Sequence, residues 1–191
     1  MTLRSNIIMV VMLFVSLGAF AQKKTQEFKV TRDIQLSTDK VWKVVGEDYG
    51  AIANSHPKLV ASEYAEGTLK AGEGAERVCY YNEKQTKYVK EKQINFDPDN
   101  YSFDVQIFHA AGLPLDEELS KGQYKLVPLT DSTCRFEFTM IYRTKPALMG
   151  VLAKKKFKKT IADYAIAVEH HAKTGIVINQ ENFKEIKQQY K

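Results

Sequence analysis

The 191-residue sequence has few of the residues that mark specialised protein classes. Its two cysteines exclude a disulfide-dense scaffold, and its five prolines and ten glycines exclude a collagen-like or low-complexity chain. It contains no Gly-rich phosphate loop, no Gly-x-Ser-x-Gly elbow and no cysteine pair or His-x-x-x-His spacing. The adjacent His170 and His171 would point about 100° apart on a helix, which is poor geometry for one metal ion. We therefore expect neither a metal nor a cofactor.

The length leaves room for one folded domain or at most two small ones, with a moderate basic charge. Hydrophobic residues make up 44% of the chain and charged residues 27%, a balance that excludes wholesale disorder. The formal net charge of +5 is basic without being extreme. No internal repeat is present, so the chain is not a solenoid or a propeller.

The first 21 residues have the pattern of a secretory signal peptide. Arg4 precedes an apolar run from Ile7 to Phe20, and Ala19-Phe20-Ala21 supplies the small-x-small cleavage pattern. The run is too short and too soon followed by polar residues to be a typical spanning helix, although an uncleaved anchor is the alternative. We predict cleavage near Ala21 and a periplasmic or secreted protein.

The sequence pattern after residue 21 predicts an α+β domain. Residues 28–36 alternate between apolar and polar side chains, as in a half-buried strand, and residues 41–45 and 49–55 form two short helical segments. Further alternating segments with short turns between them favour an antiparallel meander. These six segments are residues 60–66, 76–81, 87–96, 102–109, 123–129 and 134–143.

A long amphipathic helix follows the strands. From Pro146 to Gly175 the apolar residues recur every three or four positions, which is the helical period. They are Leu148, Leu152, Phe157, Ile161, Tyr164, Val168 and Ala172. Residues 176–191 repeat this rhythm weakly, so we expect a tail that is either a short docked helix or partly disordered.

Several short stretches occur in an order that is known from one superfamily. They are IQLSTDKVW (34–42), VVG (44–46), DYG (48–50), SHPKLV (55–60), GEGAER (72–77) and VKE (89–91). Together with the terminal helix, this set resembles the START-like helix-grip superfamily (SRPBCC) over residues 28–174. Within it, the set is most similar to the polyketide cyclase/dehydrase and lipid-transport branch. The acidic insert Asp116-Glu117-Glu118 and the tail after Gly175 depart from the usual pattern.

The resemblance implies one ligand-binding domain over residues 22–175. Its curved seven-stranded antiparallel sheet, in the order 1-7-6-5-4-3-2, would wrap the C-terminal helix and leave an apolar cavity between them. Two short helices would follow strand 1. In that order Cys79 and Cys134 lie four strand spacings apart, about 19 Å, which is far beyond bridging distance. We therefore expect two free thiols.

A polar pair is predicted to face into the cavity. If the third and fourth strands form a hairpin that is symmetric about Lys84, Arg77 lies opposite Glu91. The opposite face carries Lys90 and Lys92 and is expected to be solvated. The functional interpretation is an anchor that orients a polar group of a ligand. The alternative is a cross-strand ion pair with a structural role only.

Other inward or entrance positions complete the predicted ligand site. His56, before Pro57, could move a proton or simply brace the turn, and His109 ends the inward series of the fifth strand with the same ambiguity. The predicted ligand-binding residues are Trp42, His56, Arg77, Glu91, Phe103, Val105, Ile107, His109, Tyr124, Phe138, Met140 and Tyr164. No residue is assigned a catalytic role in this interpretation.

The most basic feature is the run from Lys154 to Lys159 on the long helix. A solvated helix face explains it most simply. Because an exported protein rarely meets nucleic acid, we expect no nucleic-acid partner, and an anionic membrane surface is the better functional candidate.

Two functions are compatible with these features. The first is an exported carrier or binding protein for a small hydrophobic molecule, such as a lipid, a sterol-like compound or an aromatic metabolite. The second is a polyketide cyclase/dehydrase-like enzyme that would use Arg77, Glu91 and His56 as polar catalytic groups. We prefer the carrier, because no residue combination is diagnostic of acid–base chemistry.

Overall fold

The computed structural model describes residues 24–190, so the predicted signal peptide lies outside the described residues. Its centre is one antiparallel sheet with the strand order β1-β7-β6-β5-β4-β3-β2, as predicted. The strands are β1 Gln26–Ile34, β2 Ala61–Tyr64, β3 Glu76–Tyr80, β4 Tyr88–Asp97, β5 Ser102–Ala111, β6 Lys121–Thr130 and β7 Thr133–Tyr142.

Helical segments connect and cover this sheet. After β1 the chain forms the short helix α1, which continues into a π-helical turn and then a 3-10 segment. The long helix α2 ends at Gly175, whose left-handed backbone (φ 73°) suits glycine at a helix C-terminus. Within residues 24–190, no helix is both long and apolar enough to span a bilayer. The segments are α1 Thr38–Trp42, the π turn Lys43–Glu47, the 3-10 segments Tyr49–Ser55 and Glu117–Leu119, α2 Leu148–Thr174 and α3 Phe183–Gln188.

The register of the β3–β4 hairpin is the predicted one. Arg77 pairs with Glu91, and Cys79 pairs with Val89. Both pairs lie on the face that turns toward α2, because Val89 and Cys79 are almost completely buried. The hairpin therefore places one charged pair inside the fold.

A β-bulge changes the next pairing. Lys90 lies opposite His109 whereas Glu91 lies opposite Ile107, so β5 contains one extra residue, Phe108, at this point. The alternation of inward and outward side chains is interrupted there, and both Phe108 and His109 are exposed.

The main core lies between the sheet and the second half of α2. Tyr164, Ala165 and Val168 of α2 are fully buried against sheet residues such as Phe136. Burial of one large apolar side chain of this kind contributes about 1.5 to 3 kcal/mol. The π turn packs just as closely, since a Cβ atom at Gly46 would lie 2.7 Å from the Trp42 ring.

The first turns of α2 do not join this core. Leu148 and Leu152, which the helical rhythm assigns to the apolar stripe, are 71% and 77% exposed. The helix begins beside the ends of β1 and β7, and its first inward contacts are Gly150 and Phe157 against Tyr142. The stripe therefore becomes a buried face only from about Phe157 onward.

The tail folds back onto α2. Ile178, Phe183 and Ile186 form a small buried cluster with Ala167, and the backbone N–H of Ile178 donates to the carbonyl of Asn54. The short helix α3 thus covers the outer side of α2 and forms part of the folded domain.

Both cysteines are free and buried. Cys79 lies on β3 and Cys134 on β7, and three strands separate them in the sheet. The prediction of two free thiols is confirmed for this structure.

Candidate functional site

A cavity of about 100 Å³ lies between the sheet and α2. Most of its wall is apolar or aromatic, and its charged side chains are Arg77 and Glu91 of the β3–β4 hairpin and Lys121 of β6. The lining residues are Ile52, His56, Leu59, Arg77, Cys79, Tyr81, Val89, Glu91, Val105, Ile107, Leu115, Lys121, Gly122, Tyr124, Phe138, Met140, Ile161 and Tyr164.

Arg77 is the buried cation of this cavity. Its side chain is 3% exposed, and its Nε and Nη2 atoms both lie 2.7 Å from Oε2 of Glu91. Nη1 donates to the backbone carbonyl of Tyr49 at 2.8 Å, and the guanidinium carbon lies 4.0 Å from the centroid of the Tyr49 ring. The guanidinium is thus fixed by a carboxylate, a carbonyl and an aromatic face.

Glu91 completes this pair from β4. Its side chain is 13% exposed, and Oε2 accepts a hydrogen bond from Nε of Arg77, forms an ion pair with Nη2 and receives a weak contact from the Cys79 thiol at 3.7 Å. Burial and the neighbouring carboxylate raise the pKa of the Cys79 thiol, so this group stays protonated and is a poor nucleophile. Within residues 24–190, no hydrogen bond is formed by Oε1 of Glu91.

His56 is a buried, neutral imidazole. Its ring lies 4.9 Å from the Tyr164 ring, and burial beside the charge of Arg77 lowers its pKa to about 3. Its Nδ1 accepts a hydrogen bond from the backbone N–H of Lys58 at 3.1 Å. The ring proton is therefore on Nε2, which makes His56 a hydrogen-bond donor toward the cavity.

Two tyrosines add neutral hydroxyl groups to the wall. Burial raises the pKa of both Tyr124 and Tyr164, so both hydroxyls remain protonated. The Tyr124 ring also stacks on Phe103 at 4.5 Å and meets Phe138 edge-on at 4.7 Å. These contacts hold the aromatic part of the wall in place. The hydroxyl groups of the two tyrosines add hydrogen-bonding groups to the wall that contains the Arg77–Glu91 pair.

The structure brings nine of the twelve predicted ligand-binding residues to this cavity. They come from the turn after the short helices, from β3 to β7 and from α2. These residues are His56, Arg77, Glu91, Val105, Ile107, Tyr124, Phe138, Met140 and Tyr164.

Three predicted residues lie elsewhere. Trp42 packs against Phe96, Tyr101 and Phe103 in the core, and Phe103 is covered by the Tyr124 ring that stacks on it. His109 faces outward because the β-bulge reverses its side, and its Nε2 lies 3.3 Å from the Tyr88 hydroxyl. These three residues therefore do not line the cavity, and their assignment to a ligand site stays a prediction.

Sequence reasoning also missed several parts of the wall. The backbone carbonyl of Tyr49 holds Arg77, a role that no side-chain pattern reveals. Ile161 is on the apolar stripe of α2, so the helical rhythm could have placed it beside Tyr164. Leu115 enters from the loop before the 3-10 turn Glu117–Leu119, where the sequence shows no regular period.

A second, more open groove adjoins the cavity. Its volume is about 980 Å³. It lies between β2, the 3-10 segment Tyr49–Ser55 and the start of the tail at residues 177–181. Leu59 and Tyr81 line both spaces, so these two side chains form the partition between groove and cavity. Leu59 is buried whereas Tyr81 is partly exposed, which makes Tyr81 the outer member of the partition.

Solved structures with the same fold come from plants and bacteria. The norcoclaurine synthase of Thalictrum flavum in complex with dopamine and hydroxybenzaldehyde is 17% identical, with a TM-score of 0.58 over 77% of this chain and 86% of that chain. A Thermobifida fusca protein is 18% identical, with a TM-score of 0.62 over 76% of this chain and 92% of that chain. An uncharacterised Bacillus thuringiensis protein is 15% identical, with a TM-score of 0.59 over 77% and 98% of the two chains.

The sequence itself matches a family model. No curated protein is similar enough in sequence to count as a relative. The match to the model described as polyketide cyclase / dehydrase and lipid transport covers residues 25–167, from the first strand to most of α2. The chain therefore belongs to the polyketide cyclase/dehydrase and lipid-transport family, with the helix-grip fold of its structural neighbours.

Proposed function

We propose that this protein is an exported carrier for a small, largely apolar ring compound that bears one polar oxygen group. The observation that carries the proposal is the buried guanidinium of Arg77, paired with Glu91, in the wall of a cavity that is lined mostly by aromatic and aliphatic side chains. A buried ion pair is an inefficient way to stabilise a core, because the desolvation of both charges offsets most of their attraction. Its placement at a cavity is explained if it orients a ligand.

Arg77 retains donors for such a ligand. A guanidinium has five N–H groups, and the contacts to Glu91 and to the Tyr49 carbonyl account for three of them. The remaining N–H groups on Nη1 and Nη2, together with Nε2–H of His56, favour an acceptor such as a carbonyl, a carboxylate or a phenolate oxygen. The apolar wall would hold the ring of the ligand.

The size of the cavity favours one ring over a long chain. Sites for drug-sized ligands usually measure about 300 to 1,000 Å³, whereas a cavity of about 150 Å³ accommodates benzene. At about 100 Å³ the cavity suits a small aromatic metabolite after slight expansion, and a sterol or a diacyl lipid would require a much larger opening. The plant synthase with this fold, described in complex with dopamine and hydroxybenzaldehyde, provides a precedent for single-ring ligands.

The polar groups suit binding better than proton transfer. A general acid or base works best when its pKa lies near the working pH, and the pKa of His56 is about 3. Oε2 of Glu91 is occupied by Arg77. A cyclase-like enzyme that uses Arg77, Glu91 and His56 is the second candidate, and it is favoured only by the presence of a donor and a carboxylate in one cavity.

The proposed site of action is outside the cytoplasm. The support is the signal-peptide pattern of residues 1–21, with its apolar run and its Ala19-Phe20-Ala21 cleavage pattern. Determining the N-terminal residue of the protein isolated from its host tests this part, and we expect Gln22. An intact Met1 in the isolated protein would contradict export with cleavage.

Native mass spectrometry of the protein, purified under mild conditions from its own host, tests the carrier function. We expect a non-covalent adduct of about 100 to 200 Da, the mass of one substituted ring. Val105→Phe, which fills the cavity from β5, should abolish the adduct. Val78→Phe is the matched control, because Val78 lies outside the cavity lining, opposite Lys90, and it should retain the adduct. Absence of an adduct, or its persistence in Val105→Phe, would contradict the proposal.

A further inference from the structure

The first two turns of α2 form an exposed apolar tip. Four neighbouring large side chains at this end of the helix point at least partly into solvent. They are Leu148 (71% exposed), Met149 (43%), Val151 (53%) and Leu152 (77%). Single exposed apolar residues are common, but four within five consecutive residues form a contiguous patch of the kind that marks an interaction site.

Lysines follow directly along the same helix. All five are exposed, and they are Lys154, Lys155, Lys156, Lys158 and Lys159. Lys159 forms an ion pair with Asp163, whereas the other four form no salt bridge with any residue in the range 24–190. An unpaired cluster of this kind attracts anionic partners.

Helix geometry aligns the tip with the lysines. With about 100° per residue, Leu148, Leu152, Lys155 and Lys159 share the outward face, on the opposite side from the inward Gly150. At about 1.5 Å per residue, Lys155, the first lysine of this face, lies about 10 Å beyond Leu148 along the axis. That length is close to the depth of about 5 to 10 Å to which interfacial helices bury their apolar faces at the boundary of head groups and acyl chains.

The tip is held rigidly in this orientation. The Tyr142 hydroxyl donates to the carbonyl of Gly150 at 2.6 Å, and the Thr144 hydroxyl donates to the carbonyl of Pro146 at 2.7 Å. The Phe157 ring packs edge-on against Tyr142 at 5.0 Å. The inner side of the helix is therefore fixed to β7, and the apolar tip is presented without the need for a conformational change.

The acidic insert beside the tip is largely neutralised. Lys145 lies 2.9 Å from a carboxylate oxygen of Glu117 and 3.8 Å from one of Asp116, and Arg143 lies 3.9 Å from Asp116. Glu118 is then the one acidic residue of the insert without an ion pair among the described residues. The lysines therefore dominate the electrostatic potential near the tip.

We propose that this surface, the apolar tip Leu148 to Leu152 with the lysines 154–159, docks the protein onto a bilayer that contains anionic lipid. The apolar side chains enter the head-group region while the unpaired lysines contact lipid phosphates. A bilayer fits this combination better than an acidic protein, because the tip is apolar at its end and basic only one turn further along. This inference goes beyond the ligand-binding function and does not depend on it.

The start of the domain lies near this surface. The Lys24 carbonyl accepts a hydrogen bond from Arg143 at 3.0 Å, and Gln26 lies beside Gly150. The apolar segment of residues 7–20 is therefore an alternative occupant of the tip. For this reason the test uses the chain from Gln22 onward, which contains every strand and helix of the fold.

Sedimentation with lipid vesicles tests the proposal. The protein should bind vesicles of phosphatidylcholine with 30% phosphatidylglycerol and should leave vesicles of phosphatidylcholine alone in large part unbound. Leu148→Ser with Leu152→Ser should lower the partition coefficient about tenfold or more. Lys155→Glu with Lys158→Glu should lower it about 30-fold or more, since each lysine near an anionic surface contributes about fivefold.

Matched controls use the same changes at other exposed positions. Leu69→Ser with Ile176→Ser, and Lys84→Glu with Lys125→Glu, should leave vesicle binding unchanged. Far-UV circular dichroism of every variant should match the wild type, because all these side chains are exposed.

Three results would overturn the proposal: no binding to anionic vesicles, equal losses in the controls, or a dimer in analytical ultracentrifugation that Leu148→Ser with Leu152→Ser dissociates. Binding that requires residues 1–21 would overturn it as well, because the N-terminal segment would then be the anchor.

Discussion

Arg77 and Glu91 face each other across β3 and β4, and two guanidinium nitrogens share one carboxylate oxygen at 2.7 Å each. This geometry leaves the second oxygen of Glu91 without a hydrogen bond from the described residues. It also leaves two N–H groups of Arg77 for a further acceptor. The pair is thus fixed but unsaturated, which distinguishes a ligand anchor from a fully satisfied structural ion pair.

Removal of one member of this pair should destabilise the fold. Arg77→Met leaves Glu91 as an uncompensated, largely buried charge, so we expect the free energy of unfolding to fall by about 3 kcal/mol or more. Urea denaturation measures this loss. An effect below about 1 kcal/mol would show that water already solvates Glu91.

The double variant separates stability from binding. Arg77→Met with Glu91→Leu removes both charges, so it should recover most of the lost stability while ligand binding remains abolished. Titration with the ligand identified by mass provides the binding measurement. Normal binding by a stable double variant would show that the pair has only a structural role.

His56 should make the protein sensitive to acid. Its pKa is about 3 in the fold and about 6.5 in the unfolded chain, so between these values the unfolded state binds the proton that the folded state excludes. Stability should therefore fall as the pH drops, by about 2 kcal/mol between pH 7 and pH 5 from this group alone.

Comparison with His56→Gln isolates this contribution. His170 also has a lowered pKa because of burial, and it remains in both proteins. The loss of stability between pH 7 and pH 5, measured by urea denaturation, should be smaller in His56→Gln than in the wild type. Equal losses in the two proteins would show that His56 is hydrated.

The cysteines should be unreactive until the protein unfolds. Burial raises the pKa of Cys134 to about 11 and that of Cys79 further still, so neither forms much thiolate at neutral pH. A thiol reagent such as Ellman's reagent should titrate two thiols in denaturant and react only slowly with the native protein. The absence of free thiols in denaturant would contradict the sheet order.

The tail should contribute to the stability of the domain. Ile186→Ala removes a buried side chain from the contact between α3 and α2, so the free energy of unfolding should fall by about 2 to 4 kcal/mol. Val177→Ala is the control, since Val177 is exposed, and it should change stability by less than about 0.5 kcal/mol. Equal effects of the two changes would indicate that the tail is not docked in solution.

The sequence predicted the fold and the central pair because local rules agreed there. The turn that contains Lys84 sets the β3–β4 register, and the outward Lys90 and Lys92 leave only one face for Arg77 and Glu91. The period of the long helix likewise located Tyr164 and Gly175 correctly.

The incorrect expectations concern positions where the tertiary structure departs from the periodicity of the sequence. The extra residue Phe108 reverses the side of His109, and no feature of the sequence indicates a bulge at that point. Leu148 and Leu152 follow the apolar rhythm, yet both side chains are largely exposed in the first turns of α2. The small volume of the cavity depends on how the side chains pack, which a pattern of apolar residues does not determine.

A crystal structure of the protein with the compound identified by mass tests the central claim most directly. We predict that the ring of the compound occupies the cavity beside Tyr124 and Tyr164. One of its oxygen atoms should lie within about 3 Å of Nη1 or Nη2 of Arg77. A compound bound only in the outer groove, or one that leaves Arg77 without a new contact, would contradict the account.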